Sequence, residues 1–288
     1  MAISKSNILT VVLVGFALGG CTATTGTKDL LAVDAEVTAL SPVGYQLKSL
    51  PPAARKLDVA VYNFPDLTGQ HKPNDNFTEY SRAVTQGAST LLVDSLQRAA
   101  DGGWFNVVER SGLQALLQER QLISVTRQQF MGADAGALPP LRFAGILIEG
   151  GVVGYDSNTV TGGVGARFLG IGGSTEYRRD AVTIGLRAVS VQTGEVLETV
   201  TTTKTIYSSA LQGGSFKYVA VDEILEAEAG ITRNEPRTFA VREAIDLAVY
   251  SLVLEGAQKG LWGFADANSG SALLTKYKAR YKTAALTQ

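Results

Sequence analysis

Little in this chain could do covalent chemistry, and the one strong exception lies near its start. Leu18-Gly19-Gly20-Cys21 has the form of a bacterial lipobox, in which the peptide is cut before the cysteine and the thiol is acylated. Cys21 is the only cysteine, so no internal disulfide competes for it, and a lone cysteine in an exported chain needs another use. Elsewhere the search is negative. His71 is the only histidine, which leaves no cluster for a histidine-rich metal site and disfavours a Ser-His-Asp hydrolase. No Gly-x-Ser-x-Gly elbow and no P-loop occur, and Gly163-x-Gly165 does not complete a dinucleotide fingerprint. Paired carboxylates such as Asp222/Glu223 and Glu226/Glu228 are too generic to assign. Asn76, Phe77 and Tyr80 stand out differently: aromatics in a polar loop need a partner, and core anchoring of that loop is the default. No enzymatic activity and no cofactor are expected beyond a covalent lipid on Cys21.

The segment before Cys21 agrees with that chemistry. Lys5 opens a basic stretch and Ile8–Leu18 is uncharged and apolar. About 11 residues suit the core of a signal peptide and fall short of the ~20 that a spanning helix needs. Thr22 follows the cysteine, not the aspartate that in enterobacteria resembles an inner-membrane retention signal. The expected location is the outer membrane, lipid-anchored and facing the periplasm. Without residues 1–20 the chain carries a net charge of −2, which leaves no basic surplus for nucleic acid. Charged residues at 18% are low and 31 glycines are many, a balance that suits a β-rich membrane element better than a helical one.

The elements that would carry these groups follow from periodicity. Residues 21–56 read as a tether, because Pro42, Gly44, Pro51 and Pro52 interrupt any long element. Leu57–Phe64 alternates, is rich in β-branched residues and stops at Pro65, as a strand does. Ser81–Ala100 has helical spacing and ends at Gly102-Gly103. Trp104–Glu109 reads as a strand, Gly112–Gln121 as a helix with Leu113, Leu116 and Leu117 on one face, and Arg142–Val153 as a third strand. Strands alternating with helices suggest an α/β layer. Asp180–Gln192 and Glu195–Ser208, joined at Thr193-Gly194, suit a soluble sheet. Pro236 starts a long helix to about Lys259, capped by Gly260. Asn268-Ser-Gly-Ser271 breaks the chain, and Ala272–Lys282 forms a final basic helix.

Gly150–Gly173 breaks the pattern, with nine glycines in 24 residues and two charges, Asp156 and Arg167. At ~1 kcal/mol per glycine relative to alanine, no helix survives there. Read by parity, Val160, Val164 and Phe168 share one face, and past Gly170 the apolar face resumes with Ile171 and Tyr177. Each arm is about 9–10 residues, the length of a membrane-crossing strand. A glycine-rich surface hairpin is the other reading of the same residues. Ser209–Gly230 is a second candidate, with Phe216, Tyr218 and Leu225 on its apolar face, although propensity alone makes Val221–Ala229 a helix.

Taken together, the residues resemble the curli secretion channel family of CsgG-like outer-membrane lipoproteins, over nearly all of the chain from about Asp58. The marks are Val61-Tyr-Asn63, Thr68-Gly-Gln-x-Lys-Pro73, Val107-Val-Glu-Arg-x-Gly-Leu-Gln114, Gly154-Tyr-Asp-Ser-Asn158 leading into Gly162-Gly-Val-Gly-Ala-Arg167, and Gly170-Ile-Gly172. Thr193-Gly-Glu-Val196, Thr203-Lys-Thr-Ile206, Asn234-Glu-Pro236 and Gly260-Leu-Trp262 add to them. The resemblance implies an α+β chain whose periplasmic α/β domain (57–158, 180–207 and 231–265) lends two hairpins, 159–179 and 208–230, to one barrel shared by a nonameric ring of identical subunits. A basic C-terminal tail would fill 266–288. The partners it implies are outer-membrane lipids, unfolded amyloid subunits as cargo, and periplasmic accessory or gating factors. In the family one loop per subunit, carrying a tyrosine and an Asn-Phe pair, forms a narrow constriction. The matching loop here, Lys72–Tyr80, keeps Asn76-Phe77 but is one residue longer, and its Tyr80 follows the pair instead of preceding it. The ring would use Asn76 and Phe77, or place Tyr80 inward. The alternative function is a periplasm-facing lipoprotein adaptor without a pore.

Overall fold

A computed structural model describes residues 37–69, 84–161, 176–211, 215–219 and 236–284. Its centre is a six-stranded mixed sheet in the order β2-β1-β3-β4-β5-β6. β1 (Leu57–Val61) pairs in parallel with β2 (Phe105–Val108) and with β3 (Ile146–Thr161). From β3 onward every pairing is antiparallel, through β4 (Glu176–Ser190), β5 (Val196–Leu211) and β6 (Ser215–Val219). The architecture is therefore α+β. The chain divides into two compact units, Met1–Ala39 and Leu40–Gln288, and all the described elements belong to the second.

Helix α1 (Pro42–Lys48) corrects the expected tether. Pro42 there starts a helix, because at the first helical position its missing N–H costs nothing and its fixed φ suits the turn. The Gly44 N–H donates to the Ser41 hydroxyl at 2.9 Å, and Val43, Leu47 and Leu50 are buried. Strand β1 ends at Val61, three residues earlier than expected. Pro65 has no N–H to give a ladder, but its carbonyl accepts from Val152 N at 3.0 Å, and Asp66 rejoins β3 as a single bridge to Val152.

Helix α2 (Ala88–Arg98) buries Ala88, Leu92, Ser95 and Leu96 along one stripe. It ends before the glycines that were expected to end it: Ala100, Asp101 and Gly102 all take positive φ, at 53°, 51° and 83°. Trp104 is buried beyond that turn, donating from its indole to Pro51 O at 2.8 Å and meeting Phe264 edge-on at 5.2 Å. Helix α3 (Leu113–Met131) runs ten residues past its expected end, since nothing stops it before Gly132, at φ 58°. None of its residues is buried. Leu113, Leu116 and Leu117, read as sharing one face, are not buried.

Strand β3 joins two segments that were read separately. Most of the third strand and residues 159–161, the start of the hairpin's first arm, are one 16-residue strand, and the rest of that arm lies outside the described residues. A bulge at Val153, between the Val152 and Gly154 pairings, shifts its register partway along. The β4–β5 turn carries Gly194 at φ 72°, as the Thr193-Gly194 signal implies. Helix α4 (Pro236–Gln258) is the hub of the core, burying Ala240, Val241, Ala244, Ile245, Ala248, Val249, Leu252 and Val253 against the sheet, α1 and α2. Gly260 at φ 73° ends it, with Leu261 N bonded back to Gly256 O at 2.9 Å. Helix α5 (Ala267–Ala284) begins five residues before its expected start. Asp266 caps it, accepting from Asn268 N and Ser269 N at 3.1 Å each, so Asn268-Ser-Gly-Ser271 is its first turn and not a break. Within this turn position 270 requires glycine, because a Cβ there would lie 2.5 Å from the Phe264 ring.

Candidate functional site

The candidate site is the end of the sheet where exposed residues of β3 and β4 follow the buried ones. Tyr155 on β3, Asp180 on β4 and Ile206 on β5 are buried. Past these points Asp156, Ser157, Asn158 and Arg179 are exposed, a polar band across the strands. The ladder nonetheless continues without a gap to Thr161↔Glu176 between β3 and β4, and to Tyr177↔Ser209 between β4 and β5. β3 thus extends six residues beyond Tyr155, roughly 20 Å at 3.3 Å per residue. Strands in soluble domains average about 5–6 residues, whereas β3, β4 and β5 have 16, 15 and 16. β6 pairs back on the end of β5 from Leu211↔Ser215 to Tyr207↔Val219.

Several of the expected site residues fall on these strands. Val160 and Tyr177 are direct partners across β3 and β4, so their positions share one face of the ladder. Phe216 and Tyr218 lie on β6, opposite Ala210 and Ser208 of β5. The reversal between Leu211 and Ser215 puts Ser209 and Phe216 on different arms. Val164, Phe168, Ile171 and Leu225, together with Cys21, His71, Asn76, Phe77 and Tyr80, lie outside the described residues.

The loop expected to carry the constriction has a described root, which the sequence reading missed. Leu67 N bonds to Val152 O at 2.9 Å, beside the bulge of β3. Asp66 then works as a clasp. Its Oδ1 accepts from Thr68 N at 3.0 Å and Thr68 Oγ1 at 2.7 Å, and its Oδ2 accepts from Gln86 Nε2 at 3.3 Å. Thr68 precedes the segment 70–83 and Gln86 follows it, so one carboxylate joins the described residues on either side of that segment. Phe64 N to Ser89 Oγ at 3.1 Å and the buried Val84 hold the returning side. An acid two residues before a threonine is a legible Asx-turn signal; its second partner, 20 residues on, is not. Beside this root, Tyr62, Leu67, Gly151, Val153, Gly185 and Arg187 line an open groove of about 470 Å³.

Three ion pairs fasten α4 and its C-terminal end to β5 and to α2. Lys204 of β5 reaches Glu243 at 2.7 Å, and Lys259 reaches the buried Glu198 at 2.9 Å. Arg98 of α2 bonds Asp246 at 2.7 Å and Asp94 at 3.1 Å, and Ser95 Oγ donates to Asp246 at 2.8 Å. Burial holds the Asp246 carboxyl above its ordinary pKa, against the pull of Arg98 and Ser95. Burial also opposes the charge on Arg98, but Asp246 and Asp94 outweigh it and raise its pKa. Gly44 closes this cluster from α1: a Cβ there would lie 2.9 Å from Asp246 Oδ2. At the other edge, hydrogen bonds from Asn106 and Arg142 hold the Asp58 carboxyl below its ordinary value. Among the described residues no group of His, Cys, Asp or Glu could hold a metal ion, and no helix is long and apolar enough to cross a membrane.

Known proteins resemble this chain over most of its length. The family described as "Curli production assembly/transport component CsgG" matches residues 42–281. Proteins of that description from Escherichia coli K12 and Salmonella typhimurium are each 40% identical over 235 residues, covering 81% of this chain and 83% of theirs. A Citrobacter koseri protein of the same description matches to the same extent. Among solved structures, a PelC dodecamer from Paraburkholderia phytofirmans is similar over 70% of this chain and 92% of its own, at 14% identity and a TM-score of 0.31. A Xanthomonas campestris protein is similar over 79% and 95%, at 10% identity and a TM-score of 0.33.

Proposed function

Because the chain belongs to the CsgG family of curli production assembly/transport components, we propose that it is the outer-membrane channel through which unfolded curli-type amyloid subunits are secreted. The observation that carries this reading is the continuity of the β3, β4 and β5 ladder past Tyr155, Asp180 and Ile206. Asp156, Ser157, Asn158 and Arg179 on these strands are exposed. An isolated hairpin does not suit lipid, because each open edge leaves unsatisfied N–H and C=O groups in hydrocarbon. Identical subunits in a closed ring, nonameric in this reading, remove every edge. Hairpins 159–179 and 208–230 of each subunit then form one barrel, with Val160, Val164, Phe168, Ile171, Tyr177, Phe216, Tyr218 and Leu225 toward lipid. Insertion and oligomerisation become one event, and acylated Cys21 holds the subunit at the membrane beforehand.

The clasp at Asp66 supports the constriction. One carboxylate joins the residues on either side of the loop, and in this reading the loop's copies around a ring meet near the axis. Asn76 and Phe77 are the residues favoured to line it, with Tyr80 the rival. Aromatic faces with amide neighbours pass an extended chain and exclude a folded domain. With no nucleotide motif in the sequence, transport is diffusive, driven by the entropy of a confined unfolded substrate, and the protein is not an enzyme.

Cysteine scanning tests the barrel. Acylation consumes the one native thiol, so a single introduced cysteine reports alone. Across 160–168 in outer membranes, a water-soluble maleimide should label positions 161, 163 and 165 and spare 160, 164 and 168. Equal labelling of both sets removes the membrane hairpin.

A further inference from the structure

Helix α5 carries a charge imbalance that the channel reading does not use. From Ala267 to Ala284 it has four cations, Lys276, Lys278, Arg280 and Lys282, and no acid. Its rotation is fixed. Leu273, Leu274 and Tyr277 pack against the core, the Tyr277 hydroxyl donates to Glu255 at 2.7 Å, and the Tyr277 and Tyr250 rings lie 6.1 Å apart. At about 100° per residue, Lys276 and Arg280 then fall along one flank of the exposed side, and Lys278 with the Lys282 position along the other. The ridge between them carries Ala272, Thr275 and Ala279, all exposed.

Lys276 and Lys278, like the exposed Lys56, differ from the described lysines that are held in ion pairs. Lys48, Lys204 and Lys259 each reach a carboxylate, those of Asp101, Glu243 and Glu198. Among the described residues, exposed Lys276 and Lys278 have no carboxylate within ion-pair distance. The chain as a whole is slightly acidic, so these cations are concentrated here and not part of a general basic surface.

Position narrows the occupant. Pairs Lys204–Glu243 and Lys259–Glu198 set α4 antiparallel to β5. Held at Glu255 and Phe264, α5 therefore lies near the start of β5, while the hairpin reversal lies past Leu211. Thirteen residues of strand separate Glu198 from Leu211, roughly 40 Å. Screening confines charge interactions to about 8–10 Å at physiological salt, so lipid headgroups at the hairpin end are out of reach. We infer that the exposed face of α5 is a docking surface for an acidic, extended peptide segment of a periplasmic protein, whose carboxylates pair with Lys276 and Lys278. The inference rests on the channel reading for which end faces the membrane. In a ring of identical subunits the face is repeated, and multivalent contact strengthens weak pairs.

The test uses the full-length lipidated protein as detergent-extracted oligomers, and a fluorescein-labelled oligo-glutamate peptide read by anisotropy. Binding at low salt that weakens as salt rises is expected, about tenfold weaker in Lys276→Glu/Lys278→Glu and kept in Lys276→Arg/Lys278→Arg. No binding by the native protein, or equal binding by the charge-reversed one, overturns the inference. So does a charge-reversed protein that loses its oligomers while the native one ignores the peptide, since the face is then a contact between subunits. Bilayer conductance of the same preparation separates the two proposals: conducting oligomers that ignore the peptide sink this one alone.

Discussion

Arg98 and Asp246 form the pair whose disruption the structure prices most clearly. The Asp246 side chain is 1% exposed and that of Arg98 is 16% exposed, with 2.7 Å between Nη2 and Oδ1. Removing one member of a buried pair costs about 3–5 kcal/mol, because the other charge stays buried. The two halves are unequal here. Asp246→Leu leaves Arg98 bonded to Asp94 at 3.1 Å, so its cost falls to about 1–3 kcal/mol. Arg98→Met leaves Asp246 with only Ser95 as a neutral donor and takes the full penalty. At about 2–4 °C per kcal/mol for a chain of this size, Arg98→Met lowers Tm by roughly 6–20 °C. The pH dependence has a definite sign. Asp246 has its folded pKa above the unfolded value near 3.8, so the native state holds more protons, and stability falls as pH rises through that window. Without Arg98 the window widens upward, so the loss in Arg98→Met shrinks as pH is lowered toward 4. Thermal unfolding of the full chain, followed by fluorescence of Trp104 and Trp262, measures both variants and the double. In the double variant the cost is expected to fall below the sum of the singles by about 2 kcal/mol or more. Strictly additive costs, or equal costs for the two singles, refute the reasoning.

Gly256→Ala places a Cβ 2.0 Å from the Trp262 ring, whose N–H is fixed to Val253 O at 2.8 Å. Overpacking of about 1–3 kcal/mol should outweigh the ~1 kcal/mol helix gain, with red-shifted tryptophan emission; a more stable variant with unshifted emission contradicts the packing. Asp58, held below its ordinary pKa, contributes stability above about pH 3.8 that is lost as pH falls through its folded value. Asp58→Asn should flatten that part of the acid-unfolding curve, and an unchanged curve removes Asp58 from it. Phe77→Ala should widen the constriction and raise single-channel conductance; unchanged conductance moves the role to Tyr80. Cys21→Ser should leave a mislocalised form outside the membrane fraction, so a normal yield of inserted oligomers counts against the anchor.

Much of this fold is legible in the sequence, and the departures have local causes. Helix α4 was readable because Pro236 and Gly260 mark its ends and apolar residues recur between them. Residue types were legible at α1 and α5, but their positional meaning was not. Pro42 breaks a helix anywhere except at its first turn, where Ser41 caps it. Ser-Gly-Ser after Asn268 reads as a break until Asp266 is seen to cap it. Helix α3 failed in the other direction, because local periodicity reports a face without saying whether anything covers it, and here none of its residues is buried. Glycines at 150, 151 and 154 suggest a boundary within β3. In the fold they lie inside a paired ladder, where Gly151 and Gly185 are direct partners. The clasp at Asp66 was invisible because its second partner, Gln86, lies across the loop it closes.

Planar-bilayer conductance of the detergent-extracted, lipidated protein tests the central claim most directly. The account predicts stable, reproducible channels from the oligomeric fraction, with a conductance that changes on substitution at Asn76, Phe77 or Tyr80. Well-formed oligomers that never conduct would contradict it, and the long strands β3 to β6 would then belong to a periplasmic adaptor.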